Sequence, residues 1–598
     1  MKQKYKKKVR INLIELLPVV LFICLTPFIV YLKSSDFDMS IYDWYSDTTS
    51  FADFFTYYKS VFVMSITFIT LFIYLYKSTT SKYHKVEKRQ YYAPLLIYFA
   101  FMILSWVFSH YTRTATSGYI ERFEGGLILT SYLLMFLYIT QVIESEQQLK
   151  WIMKYFIISI ILMNIIGFLQ YVHLDYFRVE AIQKLLVPSR FENGTFKFAY
   201  DEGRVYMTLY HSNYVGLYLS MIFPICFTFF MCEKNWKRKL LWVSLTLLTL
   251  INLQGSQSRG GIIGIAFALA LGAIFLRKKI FRYWKVLIPS FLVIIALFIG
   301  FDVMNNRFFS QRLIDTIKQV IDEPIDYDLN EIITHGNELH INYKDQPLDI
   351  YYEDHLKPTD TINYKDINGN VLELEFNANN NITFSTPEFQ VYEFNYVLYQ
   401  DQTHIQFLLD DGSTWLFTFT DEGFRYVNPY GKQVVLEDIS HIGFEGKERT
   451  GSARGYIWSR SIPLLKDTLF IGYGPDCYIY EFPQNDYVGK YNAYHTANMI
   501  VDKPHNIYLQ IAINTGIISL LAMIAFWGMY IFSSIKLYFK NDLNDYLSIL
   551  GLALFLSVCG YLGAGFFNDT NVSISPIYWG IIGLGFVVNQ LNKDKLKG

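Results

Sequence analysis

The sequence predicts a polytopic α-helical membrane protein of about twelve spans, with a β-rich domain inserted in one large extracellular loop. Three observations carry that expectation. The 598 residues are 52% hydrophobic and 18% aromatic, yet a central tract of roughly two hundred residues is polar, so the apolar character lies at the two ends. Apolar runs long enough to cross a hydrocarbon core of about 30 Å recur on both sides of that tract. Lys and Arg are segregated by loop, as the positive-inside rule requires of cytoplasmic segments. A net charge of −1 points to no polyanionic partner, and nucleic acid is not expected. Cys24, Cys226, Cys232, Cys477 and Cys559 have no metal spacing, so neither a zinc site nor a disulfide framework is expected.

Taken in order, basic MKQKYKKKVR leads into an apolar run near 11 to 32, too long and too poorly terminated for a cleaved signal peptide. Further spans are expected near 60 to 76, 93 to 109, 126 to 143, 154 to 172, 213 to 231, 240 to 255, 260 to 276 and 286 to 301. Three more follow the polar tract, near 507 to 532, 546 to 567 and 576 to 591. An even count puts both termini in the cytoplasm and the large loop outside. SKYHKVEKR, EKNWKRK and RKKIFRYWK are basic and KSSDFDMSIYDWYSD is acidic, which agrees with that topology. The expected divisions are helices one to nine over 1–301, an amphipathic helix over 302–325, the β-rich insertion over 326–446, a helical loop over 447–506, and the last three spans over 507–598.

NNRFFSQRLIDTIKQVIDE has the apolar spacing of a helix lying on the membrane or on other helices. The pattern then changes to strands: NELHINY, NVLELEF, THIQFLL and TWLFTFT cluster β-branched and aromatic residues between Asn-Gly, Asp-Gly and Glu-Gly turns. HIQFLLDDGSTWLFTF reads as a hairpin. About 120 residues suffice for a separate core. The strand aromatics suit sugar stacking, but core is the commoner use of such residues.

Candidate functional residues gather at the extracellular ends of spans. DKPHNIYLQIAINTGIISLL sets His505 and Asn506 at the mouth of a helix, with Pro504 favouring an extended approach. Arg122 and Glu124 stand at another entrance, and Arg204, His211 and Asn213 at a third. Each alone reads as an interfacial anchor. LQGSQSRGG permits only a tight turn and holds Arg259 between small residues, where a guanidinium needs a polar cavity or an anion. Arg454 and Arg460 precede apolar positions of a returning helical pattern that ends in GYGPD.

RGYIWSRSIPLLKDTLFIGYGPDCY, followed some thirty residues later by HNIYLQIAINTGIISLL, resembles the large loop and following helix of the bacterial O-antigen ligase and polymerase superfamily. SQSRGG is similar to that family's Ser-Arg-Gly turn, and GRVYMTLYHSNYVGLYL to its Arg-containing loop with an Asn at the next helix start. The resemblance spans most of the membrane part and omits the β-insertion. Asn514 stands where the family has an acidic residue downstream of His-Asn.

The resemblance implies a GT-C-like enzyme that moves a glycan from an undecaprenyl-diphosphate carrier to a glycan or envelope hydroxyl acceptor, at the outer face of the membrane. No cofactor or metal is implied. Guanidinium groups bind diphosphate oxygens in bidentate, permanently charged fashion. Arg259 and Arg454 are the first candidates, with Arg204 and Arg122 behind them. His505 is implied as the general base, and Asn506 either orients the imidazole or caps the next helix. Tyr473 and Asp476 suit an acceptor path or a plain turn. A low-Ala composition rich in Lys, Ile, Tyr and Phe suggests a secondary wall or capsular polymer of a Gram-positive envelope. A lipid-linked sugar transporter would show charges deep in several helices and internal repeats, which this sequence lacks. A sensor that uses its β-domain for ligand binding would leave the His-Asn and Ser-Arg-Gly motifs dispensable.

Overall fold

The computed structural model describes residues 12–80, 89–188, 198, 200–304, 307, 310–311, 314, 318, 323–355, 361–399 and 402–597. It is mostly helical, with a separate β-sheet region. Five described helices are long and apolar enough to cross a membrane: Tyr57–Thr79, Glu146–Tyr171, Ser212–Cys232, Ile517–Tyr538 and Tyr546–Ala564. A sixth span results if Arg259–Phe275 and Arg277–Lys285, bent by 90°, count as one. Leu13–Phe28, Tyr92–Val107 and Gly126–Val142 are apolar but shorter.

The distance from the expected twelve has local causes. The run expected near 11 to 32 gives a shorter helix, Leu13–Phe28. It has Pro18 inside it and passes through a π turn at Leu21–Leu25 to end in a 3-10 turn at Thr26–Phe28 that holds Pro27. The helices Trp236–Ser256 and Ser575–Lys597 carry amides and hydroxyls where a lipid-facing run would be apolar. Those polar groups bind neighbouring helices: Asn252 Nδ2 donates to Asn164 Oδ1 at 3.0 Å, and Asn589 Nδ2 to Ser534 Oγ at 2.8 Å. Much of the amphipathic helix expected over 302–325 lies outside the described residues.

Ser212–Cys232 is the hub of the helical body, packed against Tyr546–Ala564, Arg259–Phe275 and Trp236–Ser256. Small residues allow the close approach. A Cβ on Gly216 would stand 2.0 Å from Ser258 Oγ, one on Gly261 2.6 Å from Gly216 Cα, and one on Gly264 2.5 Å from the Gly560 carbonyl. This three-helix contact brings the start of Arg259–Phe275 beside the start of Ser212–Cys232.

The β region forms two antiparallel sheets. Leu329–His335, Glu338–Tyr343, Gln346–Tyr351 and Asn363–Asp366 make a four-stranded meander. The other sheet has seven strands, with the expected hairpin at its centre: Gln402–Leu408 pairs with Thr414–Thr420 in a register that sets His404 opposite Thr418. Phe407, Trp415, Phe417 and Phe424 are buried in a shared core, so these aromatics pack the domain and are not free to stack on sugar. The core continues into the helix Tyr487–Tyr494, where Tyr487 and Tyr491 meet Tyr426 and Trp415. Lys432 Nζ also donates to the Ser40 carbonyl at 2.9 Å, which ties the sheet to the first long loop.

Candidate active site

The helix Ile507–Thr515 starts where its sequence says it should. Asn506 is its N-cap, its Oδ1 accepting from the backbone N–H groups of Tyr508 and Leu509 at 2.9 and 3.1 Å. Capping is one of the two roles that the sequence leaves open for Asn506. His505, one residue earlier, has φ of 47°, a left-handed conformation costly for a residue with a Cβ. Trp458 Nε1 donates to the Pro504 carbonyl at 2.9 Å and steadies that approach.

The ring of His505 meets a carboxylate. Its Nδ1 lies 3.0 Å from Asp569 Oδ1, and the Tyr214 hydroxyl donates to Asp569 Oδ2 at 2.5 Å. Burial alone would raise the Asp569 carboxyl, but the Lys503 ammonium, the His505 bond and the Tyr214 hydroxyl outweigh it and hold it well below the carboxylate range. An ionised carboxylate only accepts, so Nδ1 carries the proton and Nε2 is left with its lone pair. Burial lowers the imidazole pKa by more than Asp569 raises it, which keeps the ring neutral near pH 7. The side chain is still 24% exposed, so a reactant can reach it.

Two guanidinium groups border the same loop. Arg454 donates from Nε and Nη2 to the Phe567 carbonyl at 3.0 and 2.7 Å, and from Nη1 to the Gly451 carbonyl at 2.6 Å. Left-handed turns at Gly451, Ser452 and Ala453 precede it in the helix Thr450–Ser461. Burial depresses the Arg454 pKa; Asp569 opposes the shift and the neighbouring Arg259 adds to it. Arg259 opens its own helix behind the N-cap Ser258, whose Oγ accepts from the Gly261 N–H at 3.2 Å. Gly260 lies against Asn568, where a Cβ would come within 2.2 Å of the amide nitrogen. Loop 567–570 therefore meets His505, Arg454 and, through Gly260, the start of the helix that Arg259 opens, residues far apart in the chain.

The entrance of Ser212–Cys232 adds a third wall. His211 caps it, Nδ1 accepting from the Asn213 N–H at 3.0 Å, and burial together with the nearby Lys503 and His505 pushes its pKa down to about 3. Arg204 Nη2 donates to Ser212 Oγ at 3.1 Å. The Asn213 side chain is half-buried beside them. Arg122 and Arg460 are occupied differently. Arg122 is buried and donates to Asp476 Oδ1 at 2.5 Å and Asp502 Oδ2 at 2.7 Å. Arg460 donates from Nε to Asp486 Oδ2 at 2.9 Å, with Glu448 3.8 Å from Nη1. Their charge is already matched by protein carboxylates.

Sequence reasoning missed Asp569, Tyr214, Asp502 and Lys503. Asp569 lies 64 residues after His505, in the polar FFNDTN between two apolar helices; that polarity was its available signal. Asn514 instead lines a separate cavity of about 70 Å³ with Glu124, Asp476, Gln510 and Thr570. Burial pushes the Glu124 carboxyl there up to about 7. The GYGPD segment is a built turn: Tyr473 and Gly474 donate backbone bonds to the Ile513 and Asn514 carbonyls, and Asp476 accepts from the Tyr119 N–H at 2.6 Å. Among the described residues, no three His, Cys, Asp or Glu side chains gather in a metal-holding group.

An imidazole oriented by a carboxylate, next to two guanidinium groups in a multi-helix membrane protein, suits transfer chemistry on an anionic substrate. Residues 413–524 match the family model described as O-antigen ligase, which supports membership of the O-antigen ligase superfamily and a ligase or glycosyltransferase type of enzyme. The match begins in the β region and runs past His505 and Asn506; Arg259 and Asp569 lie outside it. The comparison with curated proteins returned no match.

Proposed function

We propose that the protein transfers an oligo- or polysaccharide from an undecaprenyl-diphosphate carrier to a hydroxyl acceptor at the outer face of the cytoplasmic membrane. In this reading the chain is GT-C-like with about twelve spans, counting short and bent helices, and has both termini in the cytoplasm. His505 Nε2 takes the acceptor hydroxyl proton as that oxygen attacks the anomeric carbon. The bond to the diphosphate oxygen breaks, and the diphosphate leaves with the electron pair. Attack opposite the leaving group inverts the anomeric centre. Arg259 and Arg454 hold the diphosphate, and Arg204, His211 and Asn213 border the donor. No step is assigned to a metal. Arg122 and Arg460 act through the carboxylates they hold.

The observation that carries this reading is the His505–Asp569 contact at 3.0 Å beside Arg454, within a chain whose residues 413–524 match the O-antigen ligase family. A polymerase extending a surface polysaccharide from the same donor is the second reading, because it differs only in its acceptor. Glycan analysis of envelopes from cells carrying wild type, His505→Ala, Arg259→Ala or Arg454→Ala separates the two. Full-length chains stranded on the lipid carrier identify a ligase, whereas attached single repeats without long chains identify a polymerase. Undiminished transfer in a normally expressed His505→Ala variant would refute the assignment of the base.

A further inference from the structure

A line of charges that alternate in sign runs from Asp476 to His505. Arg122 donates from Nε to Asp476 Oδ1 at 2.5 Å and from Nη1 to Asp502 Oδ2 at 2.7 Å. Lys503 Nζ lies 3.4 Å from the same Asp502 oxygen. Burial works against the charge of Asp569, and of the charges that counter it the Lys503 ammonium is the strongest. Asp569 in turn meets His505 Nδ1 at 3.0 Å. The segment 502–505 is pinned along its length: Arg122 holds Asp502, Trp458 Nε1 holds the Pro504 carbonyl, and Asp569 holds the His505 ring. The Lys503 side chain is 14% exposed, so its ammonium is set among these groups and not in open water. A third acid facing it is the half-buried Glu121, which accepts from the Tyr210 hydroxyl.

A carboxylate on Nδ1 fixes the tautomer of a histidine, but by itself it also makes the ring retain a proton. A base must be neutral before it acts and must release the proton afterwards. A cation buried beside the pair meets both needs, because it favours the carboxylate and disfavours the imidazolium. Resting on the assignment of His505 as the base, we propose that Lys503 is a positioning residue for transfer: its ammonium keeps Asp569 ionised against Nδ1 and repels a positive charge on the ring, so that His505 starts neutral and sheds its proton to water after each transfer. Burial depresses the His505 pKa most, Asp569 opposes that, and Arg454 and Lys503 lower it further. Among the described residues, Asp502 of the same segment and His211 at the start of Ser212–Cys232 also act on the ring. Three carboxylates, Asp502, Asp569 and Glu121, face the Lys503 ammonium, which suits it to this task and not to holding a further phosphate.

The test follows the His505 ring by NMR in the full-length protein in lipid nanodiscs, with isotope-labelled histidine and the signal assigned from its loss in His505→Ala. Lys503→Met should raise the pH at which the ring titrates by about one unit, and the acid limb of transfer in membranes should move up with it. Asp569→Asn should move both the other way. Lys503→Arg keeps the charge and should titrate as wild type does. Lys503→Gln, which can still hydrogen-bond to Asp502, is a second neutral variant should the methionine protein not accumulate. A lysine that serves folding alone would change the yield of protein and leave the titration where it is. An unchanged or lowered titration in the neutral variants would overturn the proposal. So would a shift in Lys503→Arg as large as in Lys503→Met, or failure of both neutral variants to accumulate where Lys503→Arg does. Undiminished transfer in His505→Ala with the shift intact would locate the failure in the base assignment. A missing shift with transfer lost in His505→Ala would locate it in Lys503.

Discussion

Asp569 and Arg122 are both buried charges, and they serve opposite ends. Asp569 fixes the tautomer of His505, and in the proposed transfer it would stabilise the imidazolium formed when the ring takes the acceptor proton. Asp569→Asn keeps the shape but removes the charge, so transfer should fall by about 10²- to 10⁴-fold at normal expression. The same variant should move the pH profile. A base works when neutral, and burial sets the His505 pKa below its ordinary 6.5, so wild-type transfer should hold at pH 7 and fall only at more acid pH. Asp569 raises that pKa, so its loss should carry the acid limb to still lower pH, read as rate against pH in membranes. Arg122→Ala would leave the buried Asp476 without its guanidinium, and the half-buried Asp502 with only Lys503 beside it. Its expected cost is roughly 3–5 kcal/mol, seen as a lower melting temperature or lost folded protein. Arg122→Lys should recover only part of it, since one ammonium cannot reproduce the fork that reaches both carboxylates.

At the level of elements, the site depends on how closely three helices approach. Gly216, Gly261 and Gly264 let Ser212–Cys232, Arg259–Phe275 and Tyr546–Ala564 touch through backbone, and the first two helices begin with Tyr214 and Arg259 near the loop that carries Asp569. Gly261→Leu should push the first two apart. Both stability and transfer should drop, although no reacting group is altered; a cysteine cross-link between the two helix starts would report the loss of contact. Gly272→Ala, where an added Cβ meets only the Leu556 side chain at 3.4 Å, should leave both near wild type. The contrast separates close approach from glycine content.

For the whole molecule, the β region is joined to the loop helices through a continuous aromatic core. Trp415 is 2% exposed and packs on Tyr426 and Tyr491. Trp415→Ala should cost about 3–5 kcal/mol locally and open the 329–494 region to limited proteolysis, while the membrane helices stay protected. The sequence by itself determined the apolar ends, the polar centre with its strands and hairpin, the N-cap at Asn506 and the family resemblance. Each of these depends on neighbours in the chain or on composition, and such signals survive without tertiary contacts. It also singled out His505, Arg454 and Arg259, because a charge at a helix mouth stands out against apolar flanks. Only the tertiary structure decided which carboxylate serves His505, since Asp569 is 64 residues away and the nearer Asn514 lines another cavity. It likewise engaged Arg122 and Arg460 with acids distant in sequence, and turned expected spans into bent or polar-laced helices. The reason is physical: local pattern sets where a polar group enters the membrane region, but its partner is whichever group the packing of helices brings within hydrogen-bond reach.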